Sequence, residues 1–372
     1  MSYNIAIIGG GLAGLTAGIL LKQQGARVKI YEKRAGIESI GGNLGLWPNG
    51  SKVLLNLPCA EKIRQLTKTL EYHCTADAQG NTLNKFARDL FLQVNGYPIF
   101  NICRSELHHA LFSALDEDDI IFSAKLQSID QIEADLIIGA DGCYSTVRKL
   151  LFPEAQLNYA GYVALVGIYE FPNQQQPQHH FIWGKNRFFI TFPISNQRHM
   201  LYLVRPLDSG QLNKHLISRK EQIALFRGWS AEVDQTLDYY TASISRPEYA
   251  AHYYCGEAYD MQPLPTWHKK NVILIGDAAH PMGSIMGLGV NLALEDAEVL
   301  VNSLYTEKNI AAALSKFESR QIPRTNAFAA VEKEQKEFLL KASEADYQTH
   351  LHKLKTIPPE TDLQAFMDLL KA

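Results

Sequence analysis

An α/β fold is what this 372-residue chain predicts: a parallel sheet interrupted by a β-rich insert and closed by C-terminal helices. Three observations carry that expectation. At the very start, a short apolar run enters a glycine cluster and then a helical pattern. Two later apolar runs, 134–138 and 272–275, each lead into glycine and aspartate. Between them, 159–255 contains alternating, aromatic-rich segments such as 188–193 and 200–205, which suit antiparallel strands.

Each element has its local reason. Residues 5–8 (Ile-Ala-Ile-Ile) form a short apolar run suited to a buried parallel strand. Residues 9–14 make the turn, 12–24 have helical periodicity, and Gly25 stops that helix. Residues 28–32 are the next strand, completing a βαβ opening of about 30 residues. The stretch 174–177 reads as a polar turn. After Gly289 one helical face collects Val290, Leu294, Ala297, Val301 and Leu304. Pro323 is expected to end or kink the following helix. Residues 361–370 form an amphipathic helix with Leu363, Phe366, Met367 and Leu370 on one side, suited to packing on its own protein or to a membrane or partner surface. The expected division is a discontinuous nucleotide-binding domain (1–70, 99–158 and 268–325), a β-rich substrate domain (71–98 and 159–267) and a helical tail (326–372).

Composition narrows the classes. Hydrophobic residues at 46 % supply a core without metals or disulfides, and a net charge of −3 offers no strong field for nucleic acid or an anionic membrane. Five scattered cysteines without a C-x-x-C pair read as reduced thiols of a cytoplasmic protein. Neither a signal peptide nor an integral membrane segment of about 20 apolar residues is recognised. His108-His109 and His179-His180 lack companions at metal-ligand spacing, so no metal is expected.

Gly9-Gly10-Gly11-Leu12-Ala13-Gly14 matches G-x-G-x-x-G, the Rossmann fingerprint. Gly9 permits the turn out of the strand, Gly11 lets backbone approach a pyrophosphate, and Gly14 lets helix and sheet pack closely. The helix N-terminus then offers amide N–H groups and a positive dipole end to phosphates. Glu32, 18 residues after Gly14, ends the next strand and suits ribose hydroxyls, with Lys33 and Arg34 behind it as further candidates. The motif alone leaves FAD and NAD both open.

Two further motifs narrow this: 134–148, running into Asp141-Gly142, and 271–281, running into Gly276-Asp277. With these in order, the chain resembles the single-component (class A) FAD-dependent monooxygenases, the para-hydroxybenzoate hydroxylase-like family. That resemblance implies an FAD-binding domain of the glutathione reductase type. It implies that Glu32 holds the adenosine ribose and that Arg104 meets FAD ribose and phosphates. Asp141, with Arg148 downstream, is implied in FAD and nicotinamide contacts, Asp277 in a bond to the ribityl chain, and Pro281 beside the flavin ring. The residues allow other roles: a helix cap for Asp277, a turn for Asp141, and a surface ion pair for Arg148.

Gly287-Leu288-Gly289-Val290-Asn291 opens a helix, and its backbone N–H groups suit the edge of the flavin that becomes negative on reduction. Leu288 stands where the family usually has glutamine. Residues 42–50, including Gly45, resemble the family loop that lets the flavin swing; a surface turn is the alternative.

The implied chemistry is reduction of FAD by NADH or NADPH, reaction with O₂ to a flavin C4a-hydroperoxide, and hydroxylation of a small aromatic or polycyclic substrate. A single glycine fingerprint fits transient docking of the nicotinamide cofactor. Tyr202 and Arg205 are candidates to orient a phenolate or carboxylate, and Phe189 and Phe192 to line the pocket, with plain sheet packing as the alternative for each. His280 is expected to support the site from behind. The chain is expected to act as a monomer or homodimer. Competing classes are another FAD oxidoreductase of this fold (an oxidase or reductase), a binding protein that has lost FAD, and an NAD dehydrogenase. A flavin-dependent halogenase lacks support, since W-x-W-x-I-P is absent.

Overall fold

The computed structural model describes residues 3–37, 42–87, 89–171, 178–195, 197–211, 219–250 and 252–371. The turn expected at 174–177 lies outside them. A six-stranded sheet runs in the order His268–Lys269, Val272–Leu274, Leu136–Gly139, Asn4–Ile8, Arg27–Tyr31, Ile120–Ile121. Every pairing is parallel except that of the outermost strand, His268–Lys269. Ile7 pairs with Ile30 on one side and Ile138 on the other. These isoleucines are fully buried, as expected for strands covered on both faces. Because the strands are parallel, Gly9, Glu32, Asp141 and Asp277 all emerge at one edge, where α/β sheets bind ligands.

The second sheet has seven strands, in the order Tyr254–Met261, Leu157–Glu170, Arg198–Pro206, Arg187–Pro193, Phe181–Gly184, Tyr72–Asp77, Thr82–Ala87. Side chains alternate between its faces. Tyr162, Ala164, Ile190, Phe192, Tyr202 and Val204 pack on one face with Ile285 and Leu339. Leu165, Phe189, Leu201 and Leu203 pack on the other, beneath Val233, Leu237 and Tyr240 of helix Ala231–Ser243.

Residues 42–50 are not an isolated turn. Asn43–Leu46 pairs antiparallel with Phe100–Cys103, and Pro48–Leu55 follows as a helix.

Pro323 neither ends nor interrupts its helix, which runs from Ile310 to Lys341. A proline inside a helix removes one hydrogen bond and costs about 3 kcal/mol. Here Phe317 is buried before it and Phe328 and Leu339 after it, while Gln321 and Arg324 bond Asp296 and Glu295. Anchorage on both sides offsets the loss. The boundary expected between 325 and 326 therefore falls inside a helix.

The C-terminal helix, Gln364–Leu370, packs on its own protein. Met367 and Leu370 are buried, Phe366 meets Trp47 edge-on at 4.9 Å, and Arg324 donates to the Leu369 carbonyl. No helix of the described residues is long and apolar enough to cross a membrane.

Candidate active site

The glycine turn behaves as its residue types require. Gly9 has φ +112°, and a Cβ there would collide with the Ala140 carbonyl. A Cβ at Gly14 would collide with the Gly9 carbonyl. Gly11 differs: its missing side chain would meet no protein atom within 4 Å. Gly11 caps helix Leu12–Gln23 with no side-chain bond to the first turn. The result is a helix N-terminus with its amide groups facing open space, the cradle a pyrophosphate needs. Leu12 is buried and Ala13 lies beside Gly276, so both offer backbone to this cradle.

Glu32 sits beside the turn. Its carboxylate accepts from the Gly10 amide at 2.8 Å and the Arg34 amide at 2.9 Å. Gly10, Glu32, Arg34, His108, Phe112 and Phe122 line a cavity there, and the His108 ring bonds the Gly10 carbonyl at 2.6 Å. Lys33 is exposed.

Further along the sheet edge, Asp277 and Arg104 face a common cleft. Both are enclosed by protein yet open to solvent, as residues on the floor of a concavity are. Burial pushes the Asp277 carboxyl up, against the opposing pull of His280, Arg104 and Arg148. Asp277 Oδ1 lies 3.5 Å from the position of a Cβ at Gly289, which brings the late Gly-Asp motif against the next helix start. Gly276 (φ +58°) and Gly287 (φ +63°) adopt backbone that favours glycine, and a Cβ at Gly287 would also point into open space. Pro281 is buried and Val290 half-buried.

Asn291 is fully buried and ties two segments together. Its Oδ1 accepts from the Trp47 amide at 2.9 Å, and its Nδ2 donates to the Gly45 and Gly287 carbonyls at 3.2 and 2.9 Å. Gly45 and the 287–289 backbone are thus held at a fixed separation by one side chain.

Asp141 and Arg148 serve the loops around them. The Asp141 carboxylate takes the Ser145 hydroxyl and the Thr146 and Val147 amides, capping helix Thr146–Leu151. Arg148 is not a surface ion pair. It is buried and donates to the Asp277 and Ala278 carbonyls, each at 3.0 Å, and to the Cys143 carbonyl. It joins the Asp-Gly loop to the Gly-Asp loop.

Two expected pocket residues point away. Strand alternation puts Arg205 and Phe189 on the face opposite Tyr202 and Phe192. Arg205 instead bonds Gln222 at 2.8 Å and the Pro206 carbonyl at 2.9 Å. Tyr202 does face the cleft side, but its hydroxyl is committed to Ser284, 2.9 Å from the carbonyl and 2.7 Å from Oγ.

Supporting groups complete the site. His280 Nε2 lies 2.6 Å from Asp296 Oδ2, which also accepts the Gly276 amide at 2.8 Å. Sequence reading missed Glu332 and Tyr162, which hold residues 284–286. One signal existed for Glu332: it shares the buried stripe of Gln321, Thr325 and Phe328, where an acid is out of place. Among the described residues, no group of three or more His, Cys, Asp or Glu side chains is placed to hold a metal ion.

The FAD binding domain model matches residues 108–331. The chain belongs to this family. An NAD(P)-binding Rossmann-like domain also matches at 7–58. The chain is 25 % identical to aurachin C monooxygenase/isomerase of Stigmatella aurantiaca over 343 residues, covering 88 % of this chain and 87 % of that protein. It is 26 % identical to 6-hydroxynicotinate 3-monooxygenase of Pseudomonas fluorescens, covering 82 % and 83 %. Its fold is that of Klebsiella pneumoniae HpxO complexed with FAD and uric acid, with TM-score 0.87, 23 % identity and coverage of 99 % and 96 %. The chain is a class A FAD-dependent monooxygenase of the para-hydroxybenzoate hydroxylase-like type, with FAD as cofactor and NAD(P)H as reductant.

Proposed function

We propose that this enzyme hydroxylates a small aromatic or polycyclic compound held between the Tyr202 face of the seven-stranded sheet and the segment 281–289. One observation carries the reading. Gly11, Glu32, Arg104, Asp277 and the 287–289 backbone converge along one edge of a parallel sheet, with open space at both Gly11 and Gly287. The residues fit FAD: Gly11 and the following helix N-terminus would take the pyrophosphate, Glu32 the adenosine ribose, Arg104 the phosphates and Asp277 the ribityl hydroxyls. When bound, the flavin supplies hydride acceptance and oxygen activation.

The chain's own residues orient and seclude. The 287–289 amides, at the start of helix Gly289–Thr306, favour negative charge where the flavin ring would lie. Pro281 borders that position. Phe192, Met200, Val204 and Ile285 supply an apolar wall that keeps water from the reacting centre. Arg104 and Asp277 balance each other's charge within the cleft. The nicotinamide cofactor, NADH or NADPH, docks transiently. The reading extends to a cytoplasmic enzyme acting as monomer or homodimer.

The test is to purify the protein and follow NADH and NADPH oxidation in air across phenols, aromatic acids and polycyclic compounds, with hydrogen peroxide detection. The expected result is oxidation stimulated by one compound class, with oxygenated product and little peroxide. A colourless protein that takes up no FAD would overturn the reading.

A further inference from the structure

Residues 284–287 are held by their backbone from three directions. Glu332, on helix Ile310–Lys341, accepts from the Ile285 amide at 2.8 Å and the Met286 amide at 3.0 Å. The Ser284 amide donates to the Tyr162 hydroxyl at 2.7 Å, and Tyr202 donates to Ser284. Trp47 Nε1 donates to the Met286 carbonyl at 3.0 Å, and Asn291 to the Gly287 carbonyl. Gly283 makes this approach possible, since a Cβ there would lie 2.5 Å from both Glu332 Oε1 and the Tyr162 hydroxyl.

A carboxylate buried to this degree is retained only with strong partners. Glu332 has two consecutive amides, the Tyr162 hydroxyl, and Lys336 as a nearby positive charge. One oxygen per amide is a demand that glutamine meets only half, because its NH₂ would face a second N–H donor. Burial pushes the Glu332 carboxyl up, yet every contact it makes favours the ionised form.

We propose that Glu332 is a positioning residue: its carboxylate, with Tyr162, sets the height of residues 284–287 over the flavin and so tunes flavin binding and environment. This rests on reading 281–289 as the flavin-facing segment. No contact of Glu332 with FAD or substrate is implied; it acts through the segment.

The experiment uses the full-length protein with Glu332→Gln and, separately, Tyr162→Phe. Hydrogen exchange of 283–288 in the FAD-free protein reads the clasp without any flavin. Fluorescence titration with FAD and the visible absorption of the loaded protein read the consequence. Exchange in 283–288 is expected to quicken at least roughly tenfold while 290–306 stays protected. FAD affinity is expected to fall about tenfold, with shifted visible bands. If Glu332→Gln fails to fold, Tyr162→Phe carries the test. Unchanged exchange overturns the clasp, and quickened exchange with unaltered FAD affinity and spectrum overturns its role toward the flavin. Should the parent take up no FAD, the proposed function fails on its own evidence, while the exchange result still decides the clasp.

Discussion

The side chain of Asn291 donates to the Gly45 carbonyl at 3.2 Å, joining positions 246 residues apart across the cleft where the flavin is proposed to bind. Asn291→Ala leaves the Trp47 amide and the Gly45 and Gly287 carbonyls without their partner. A loss of about 2–4 kcal/mol in unfolding free energy is expected, along with weaker FAD retention. Urea denaturation and the flavin-to-protein absorbance ratio check both.

The three fingerprint glycines separate binding from folding. Gly11→Ala adds a methyl group to open space, so the FAD-free protein keeps its melting temperature while FAD affinity drops at least roughly tenfold. Gly14→Ala drives a methyl group into the Gly9 carbonyl, and stability falls by about 2 kcal/mol or more before FAD is added. Calorimetry with and without FAD distinguishes the two. Equal effects from both variants would contradict the open cradle.

Arg205 lies on the far face of the sheet, bonded to the buried Gln222. Arg205→Met is expected to lower stability by about 1–2 kcal/mol and to leave KM for the organic substrate within roughly twofold. A large KM increase would return this arginine to the pocket.

Acid sensitivity follows from three buried imidazoles. Burial lowers His73 to about 4, His180 to about 3 and His199 to about 4. His180 Nδ1 accepts from the Cys74 amide, which requires that nitrogen to be unprotonated. Folded-state values lie below the unfolded value of about 6.5, so the unfolded chain binds more protons between them. Stability contributed by these rings is full above pH 6.5 and falls as pH drops toward 4, by up to about 1.4 kcal/mol per pH unit per ring. Urea midpoints at pH 7, 6 and 5 read the slope, and His199→Phe should remove about one proton from it.

The parallel sheet and its strand-end motifs were legible because each depends on local signals: an apolar run, a glycine, an acid. Gly9, Gly14, Gly276 and Asp277 all stand where those signals put them. Arg205 was misread because its facing depends on strand register, which pairs it with Val163 and which residue type does not reveal. Arg148 and Glu332 look like surface charges in sequence. Arg148 reaches the Asp277 and Ala278 carbonyls and Glu332 the Ile285 and Met286 amides, backbone atoms more than 40 positions away that only the packed fold brings close. Pro323 sits in a helix because tertiary anchors outweigh its local preference.

Helix Ile310–Lys341 places Phe317 in the core beside the parallel sheet, Phe328 in the cluster under the C-terminal helix, and Leu339 against the second sheet. Such a strut makes the two sheets thermodynamically interdependent. Neither can melt without stripping part of the same rod, so heating should yield one endotherm whose calorimetric and van't Hoff enthalpies agree, despite two sheets of different architecture.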